Sequence, residues 1–171
     1  YSGNTRMLDA IRWDSDLIRR YDLAGPRYTS YPTAVQFQTK VGAFDLLHAL
    51  RDSRKALRPL SLYVHIPFCA NICYYCACNK VITKDRGRAL PYLQRLEQEI
   101  QMIACHLDPK QQVEQLHLGG GTPTFLSHDE LRQLMAHLRK HFNLLDDDSG
   151  DYGIEIDPRE ADWSTMGLLR E

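Results

Sequence analysis

The sequence lacks an excess of either charge. Its 21 Lys and Arg stand against 22 Asp and Glu, for a formal net charge of -1. That balance argues against a nucleic-acid or other polyanion partner bound by electrostatics. Long apolar runs are missing too. None approaches the ~18 residues that a membrane-spanning helix needs, so no membrane partner is expected. No charged-then-apolar leader opens the chain. The chain also lacks an initiating Met, and its last residues read as an unfinished helix, so a piece of a longer protein is expected. What is present is ordinary: 43% hydrophobic and 25% charged residues over 171 positions. Such values exclude disordered, collagen-like and coiled-coil chains. There is no internal repeat or low-complexity tract.

Cysteine is scarce outside one place. Four of the five cysteines lie between positions 69 and 78. A disulfide framework spreads its cysteines to staple distant loops, and this cluster does not. A reducing, cytoplasmic compartment and a metal centre are the expectation. The fifth, Cys105, reads as a small apolar residue on a helix.

The N-terminal part predicts helices and irregular chain. Asp14 to Tyr21 reads as a short helix that Leu17 and Ile18 could anchor. Residues 25–33 carry a Gly, two Pro and several Ser or Thr, which break regular structure. Phe44, Leu47, Leu50 and Leu57 recur at helical spacing, so a helix is expected over 43–56, ending before Pro59.

From residue 60 the pattern becomes strand, motif, helix, strand, helix, strand. Leu62, Val64 and Ile66 alternate with Ser61, Tyr63 and His65, which is the period of a strand. A polar stretch, 79–88, follows the cysteines. Leu93, Leu96, Ile100, Ile103 and Leu107 then mark an amphipathic helix, with Pro91 tolerable in its first turn. Val113–Leu118 is the next strand and runs into Gly119, Gly120, Gly121, Thr122 and Pro123. Ser127 with Glu130 makes a capping box for a helix continued by Leu131, Leu134, Met135, Leu138 and Phe142. The acidic run 146–151 reads as a solvated loop before a third strand, Tyr152–Ile156. Residues 164–170 begin another helix.

Strands alternating with helices of this length imply βαβ units and a parallel sheet. The expected fold class is α/β, a partial (β/α) barrel of about three units. A mainly helical N-terminal extension, 1–59, precedes the barrel segment, 60–171. In such a barrel the apolar strand residues pack outward on the helices. By parity, Tyr63, His65, His117 and Glu155 then share the concave side, where ligand sites of these folds are built.

The spacing Cys69-x3-Cys73-x2-Cys76-x-Cys78 carries the chemistry. Thiolates suit iron–sulfur clusters and zinc. One short loop with three cysteines can wrap a compact cluster. A structural zinc normally takes two separated ligand pairs, and no second pair is visible. The spacing therefore favours an iron–sulfur cluster, with zinc or redox and structural cysteines as the other readings. His65 and His117 are equally readable as hydrogen-bonded lining residues without chemistry. The glycine triplet alone fits a tight turn, and Glu155 alone fits a structural carboxylate. Arg27 fits a surface charge as well as a substrate contact, and Tyr28 and Tyr31 fit simple packing.

Taken together, these segments resemble a known family. Cys-x3-Cys-x-aromatic-Cys after a first strand, then Gly-Gly-Gly-Thr-Pro after a second, is similar to the radical S-adenosylmethionine (SAM) superfamily. Residues 25–33, 60–69, 73–80, 116–124 and 154–160 narrow the resemblance to oxygen-independent coproporphyrinogen III oxidases. It covers roughly residues 13–171.

The resemblance implies that Cys69, Cys73 and Cys76 hold a [4Fe-4S] cluster whose open iron is chelated by SAM. It implies SAM contacts at Tyr63, Tyr75, Gly120, Gly121, Thr122 and Glu155. It places Cys78 in the active enzyme's motif but off the cluster, in a catalytic role left open. Ala77 departs from the usual glycine there, and Tyr75 from a common phenylalanine. The implied reaction is the oxidative decarboxylation of two propionates of coproporphyrinogen III, in haem biosynthesis, by a 5'-deoxyadenosyl radical. Coproporphyrinogen III as substrate, an electron donor such as flavodoxin or ferredoxin, and a monomeric parent protein go with it, and a fragment alone is expected to be inactive. Three other classes fit parts of the pattern: a haem-binding relative without oxidase activity, another porphyrin-acting radical SAM enzyme, and a zinc-stabilised structural domain.

Overall fold

In a computed structural model of the chain, the described residues are 13–22 and 33–171. Arg27, Tyr28 and Tyr31, expected near a substrate, lie outside them. The chain divides into two compact units, Tyr1–Lys40 and Val41–Glu171. Each is taken by itself. In the first, α1 spans Ser15–Tyr21, started by Asp14, whose carboxylate accepts from the amides of Asp16 and Leu17. Leu17 and Ile18 do not anchor this helix: both are exposed, and it buries no residue.

The second unit opens with α2, Ala43–Lys55. Its face is only partly used: Leu47 and Leu50 are half-buried, while Phe44 is exposed. The turn after it is fixed by Gln111, which is almost wholly buried. Its Nε2 donates to Ser53 O, Ser53 Oγ and Arg58 O, and its Oε1 accepts from Asp108 N.

Strand β1, Leu60–Ile66, shows the expected alternation, burying Val64 and Ile66 and exposing Ser61 and Tyr63. Two short strands follow that the sequence did not announce. β2, Phe68–Cys69, pairs in parallel with β3, Val81–Ile82, inside the stretch expected to be merely polar. Val81 N donates to Pro67 O and Thr83 N to Cys69 O, so this ladder closes residues 70–80 into a loop. Helix α3, Ala89–Ala104, ends before Leu107, which is buried beyond it.

β4, Gln112–Gly120, is the central strand and runs through the first two glycines of the triplet. Helix α4, His128–His141, is capped reciprocally by Ser127 and Glu130 as the spacing predicted. β5, Asn143–Leu144, and β6, Asp151–Ile154, both pair in parallel with β4, as does β1. α5, Trp163–Arg170, is capped by Asp162.

Helices α3 and α4 cover one face of the sheet. Val64, Ile66, Leu116 and Leu118 meet Leu93, Ile100, Leu131, Leu134 and Leu138 in a single core. The fold is thus a partial βα barrel, and no described helix is long and apolar enough to cross a membrane. The core leaves the opposite face of β1, β4 and β6 open, with the cysteine loop at the strands' C-terminal end.

Candidate functional site

Parallel register builds the site. Tyr63 on β1 stands beside His117 on β4, which stands beside Gly153 on β6. The alternation that buries Val64 and Leu118 sends Tyr63, His65 and His117 to the open face. Tyr63 and His117 stack, with ring centroids 5.9 Å apart and planes 12° from parallel. Glu155, just past β6, reaches the same row. Its Oε1 lies 3.3 Å from His117 Nε2, and its Oε2 accepts from Gly120 N at 3.0 Å. The expected convergence of Tyr63, His65, His117 and Glu155 is therefore present.

His65 is fully used within the chain. Its Nε2 is 2.9 Å from the Asn79 carbonyl, which only accepts, so Nε2 carries the proton. Nδ1 then accepts from the Tyr63 hydroxyl at 3.0 Å. Tyr92 donates to the His65 carbonyl. The histidine thus ties β1 to the far end of the cysteine loop. Desolvation, then the charges of Glu155 and Cys78, push the Tyr63 phenol up, so it remains a donor at neutral pH.

The glycine triplet is tight for reasons internal to the protein. Gly120 has φ +112°, and a Cβ there would meet the His65 ring at 2.5 Å. A Cβ on Gly121 would strike Phe68 O at 2.7 Å and the Pro67 carbonyl carbon at 2.8 Å. This close approach lets Gly121 N donate to Ile66 O and Thr122 N to Phe68 O, both at 2.8 Å. The end of β4 is thereby stitched to the root of the cysteine loop.

The four loop cysteines occupy different environments. Cys69 is buried on β2, and the Thr122 hydroxyl donates to its sulfur at 3.5 Å. Cys73 is half-buried and meets Arg159 Nη2 at 3.6 Å. The Cys76 thiol is held below its usual value, chiefly by the backbone N–H of Cys78 and further by Lys80, against some desolvation. Cys78 moves the other way: desolvation comes first, then its bond to Cys76 and the charges of Cys76 and Glu155. Tyr75 stands 89% exposed on the loop and makes no ring contact among the described residues.

Two further residues grip the loop from the opposite side of the site. Arg159 reaches Cys73, and Glu160 Oε1 accepts from Asn71 Nδ2 at 2.9 Å. Neither was singled out by sequence reasoning. The Asp-Pro-Arg-Glu run was visible, but nothing local marks a contact spanning more than eighty residues.

Among the described residues, no three His, Cys, Asp or Glu side chains converge tightly enough for one metal ion. A four-iron cube asks for something else. Each cysteine binds a different iron, which keeps the sulfurs farther apart than ligands of a single ion. The donor set fits that group. Cys69 has a hydroxyl and Cys73 a guanidinium directed at its sulfur, the Cys76 thiol is shifted down, and such donors favour the thiolate that binds metal.

Comparison with known proteins gives the chain a family. The model of the radical SAM superfamily matches residues 63–169. An oxygen-independent coproporphyrinogen III oxidase of Pseudomonas aeruginosa is 79% identical over 165 residues, covering 96% of this chain and 36% of that protein. The protein of the same name from Escherichia coli is 47% identical over 160 residues, covering 94% and 34%. A solved structure of coproporphyrinogen III oxidase from Escherichia coli, described as a radical SAM enzyme, aligns with a TM-score of 0.76 at 43% identity. The alignment covers 93% of this chain and 34% of that one. The chain thus spans about a third of the length of these relatives.

Proposed function

The chain belongs to the radical SAM superfamily, and from that premise we propose that it forms the cluster-bearing part of an oxygen-independent coproporphyrinogen III oxidase. One observation carries the reading: two thiols of one loop each receive a donor from a separate element, Cys69 from β4's end and Cys73 from the turn after β6. Cys69, Cys73 and Cys76 are the ligands of a [4Fe-4S] cluster in this account. Tyr63, Tyr75, Gly120, Gly121, Thr122 and Glu155 would hold the S-adenosylmethionine that such a cluster takes. When bound, cluster and SAM together supply a 5'-deoxyadenosyl radical, the oxidant for a propionate side chain.

The chain's own residues do the positioning. Glu155 is a carboxylate fixed at both oxygens, by Gly120 N–H and His117 Nε2–H. It is therefore oriented to accept from an amine or hydroxyl of SAM. The Tyr63 ring, held parallel on His117, offers a flat apolar surface beside it. The His65 ring and the Pro67–Phe68 backbone fill the space that side chains on Gly120 and Gly121 would need, so these two residues would meet a ligand only through main-chain atoms. Cys78, kept as a thiol and within electrostatic reach of Glu155 and Tyr63, is left free of the cluster to serve the substrate.

The substrate in this reading is coproporphyrinogen III, and the electron comes from a flavodoxin or ferredoxin in the cytoplasm to a monomeric enzyme. The test is anaerobic reconstitution of the complete reading frame around this segment, followed by product analysis with coproporphyrinogen III, SAM and a reductant. Protoporphyrinogen IX is expected, with methionine and 5'-deoxyadenosine formed alongside. SAM cleavage with the porphyrinogen left intact contradicts the substrate assignment.

A further inference from the structure

The turn after β6 carries an arginine that the proposed SAM and substrate contacts do not use. Asp157 builds this turn: its backbone carbonyl accepts from Glu160 N and Ala161 N, and its Oδ1 accepts from Arg159 N. Its carboxylate also grips the Arg159 side chain in bidentate fashion. Nε lies 2.9 Å from Oδ1, and Nη2 lies 2.6 Å from Oδ2. Nη2 has two hydrogens. One serves Asp157; the other points to Cys73 Sγ at 3.6 Å. The neighbouring Glu160 holds Asn71 of the same loop and lies 3.6 Å from Arg86 Nη2. Two successive residues of one turn thus hold two positions of the cysteine loop.

A guanidinium is suited to this task and an ammonium is not. Its planar fork can satisfy a carboxylate and still present a fixed N–H elsewhere. Asp157 keeps only about a tenth of its side chain exposed, whereas Arg159 is 56% exposed. The anchor is therefore in the protein, and the arginine is aimed by it.

We propose that Arg159 is a positioning residue which, aimed by Asp157, donates to the Cys73 sulfur and raises the reduction potential of the cluster bound there. The inference rests on the cluster assignment above. Reduction adds one negative charge to the cluster. An N–H donor and a cation at one of its sulfurs stabilise the reduced form more than the oxidised form. Removing them makes reduction harder.

The test is a reductive titration followed by electron paramagnetic resonance on the anaerobically reconstituted complete protein, for the parent sequence, Arg159→Gln and Arg159→Lys. Arg159→Gln is expected to keep its cluster and shift the reduction equilibrium about tenfold against the reduced form, ~59 mV for a one-electron couple. Arg159→Lys, which keeps the charge but not the fork, is expected to shift it less. A loaded Arg159→Gln cluster with an unmoved midpoint overturns the inference, even if the variant is less heat-stable. A parent protein that takes up no cluster removes the cluster assignment itself, and the inference with it.

Discussion

Gly121 shows how much one missing methyl carries. Its Cα sits against the Pro67–Phe68 backbone, where an added Cβ would lie under 3 Å from main-chain atoms that cannot swing away. Gly121→Ala should therefore cost ~1–3 kcal/mol, the usual range for overpacking. It should also loosen the two amide bonds that hold Cys69 in place. Urea unfolding checks this, and an unchanged midpoint would show that the loop root yields cheaply. Glu155 offers a second residue-scale test. Glu155→Gln keeps the shape but loses the charge, so SAM binding should weaken by about ten- to a hundredfold, the ~1.5–3 kcal/mol range of a charged hydrogen bond. Iron content should stay the same. Equilibrium dialysis with labelled SAM measures the first and iron analysis the second; undiminished binding would return Glu155 to a structural carboxylate. At this scale the sequence was partly legible. Parity alone placed Tyr63, His65, His117 and Glu155 on one face, because a strand's period is two. Arg159 was not legible, since its partner is Cys73, 86 positions away.

Elements were legible in proportion to their length. α3, α4 and β1 each repeat an apolar period several times, and each formed where the pattern put it, save that α3 stops short of Leu107 and α4 at His141. β2, β3 and β5 are two residues each, too short for any period, and exist only because a neighbouring strand pairs with them. Phe44 helped to place α2 and yet is exposed, because helical spacing says which residues share a face, not whether that face meets anything. Helix α5 gives an element-scale prediction. Asp162 accepts from Thr165 N, Thr165 Oγ1 and Ser164 Oγ, bonds that pull its carboxyl down to about 2. An unfolded aspartate titrates near ~3.9. Because the folded value is the lower one, the cap's contribution is present above ~4 and is lost as pH falls through about 2. Amide signals of Trp163–Arg170 should hold at pH 5 and fade toward pH 2, and Asp162→Ala should fray the helix already at neutral pH. A pH-independent helix in the parent chain would remove the cap from the account.

At the scale of the whole molecule, the sheet has an open side. Among the described residues β6 pairs with β4 and with no second strand. An unpaired edge exchanges its amides readily and invites association. In these 171 residues taken alone, Asp151–Ile154 should exchange faster than the middle of β4, which is paired on both sides. Equal protection across the sheet would mean that the edge is covered. Alternating strands and helices made the partial barrel legible, whereas the stitching of the cysteine loop to β4 and to the Asp157–Glu160 turn was not, because it depends on contacts only the folded sheet creates. The central claim is that three of the four loop cysteines hold one cluster and the fourth does not. Iron content and visible absorption of four single variants, reconstituted without oxygen in the complete protein, test it most directly. Cys69→Ala, Cys73→Ala and Cys76→Ala should lose both iron and absorption, while Cys78→Ser should keep both and lose only porphyrinogen conversion. Loss of the cluster in Cys78→Ser, or its survival in any of the other three, would contradict the account.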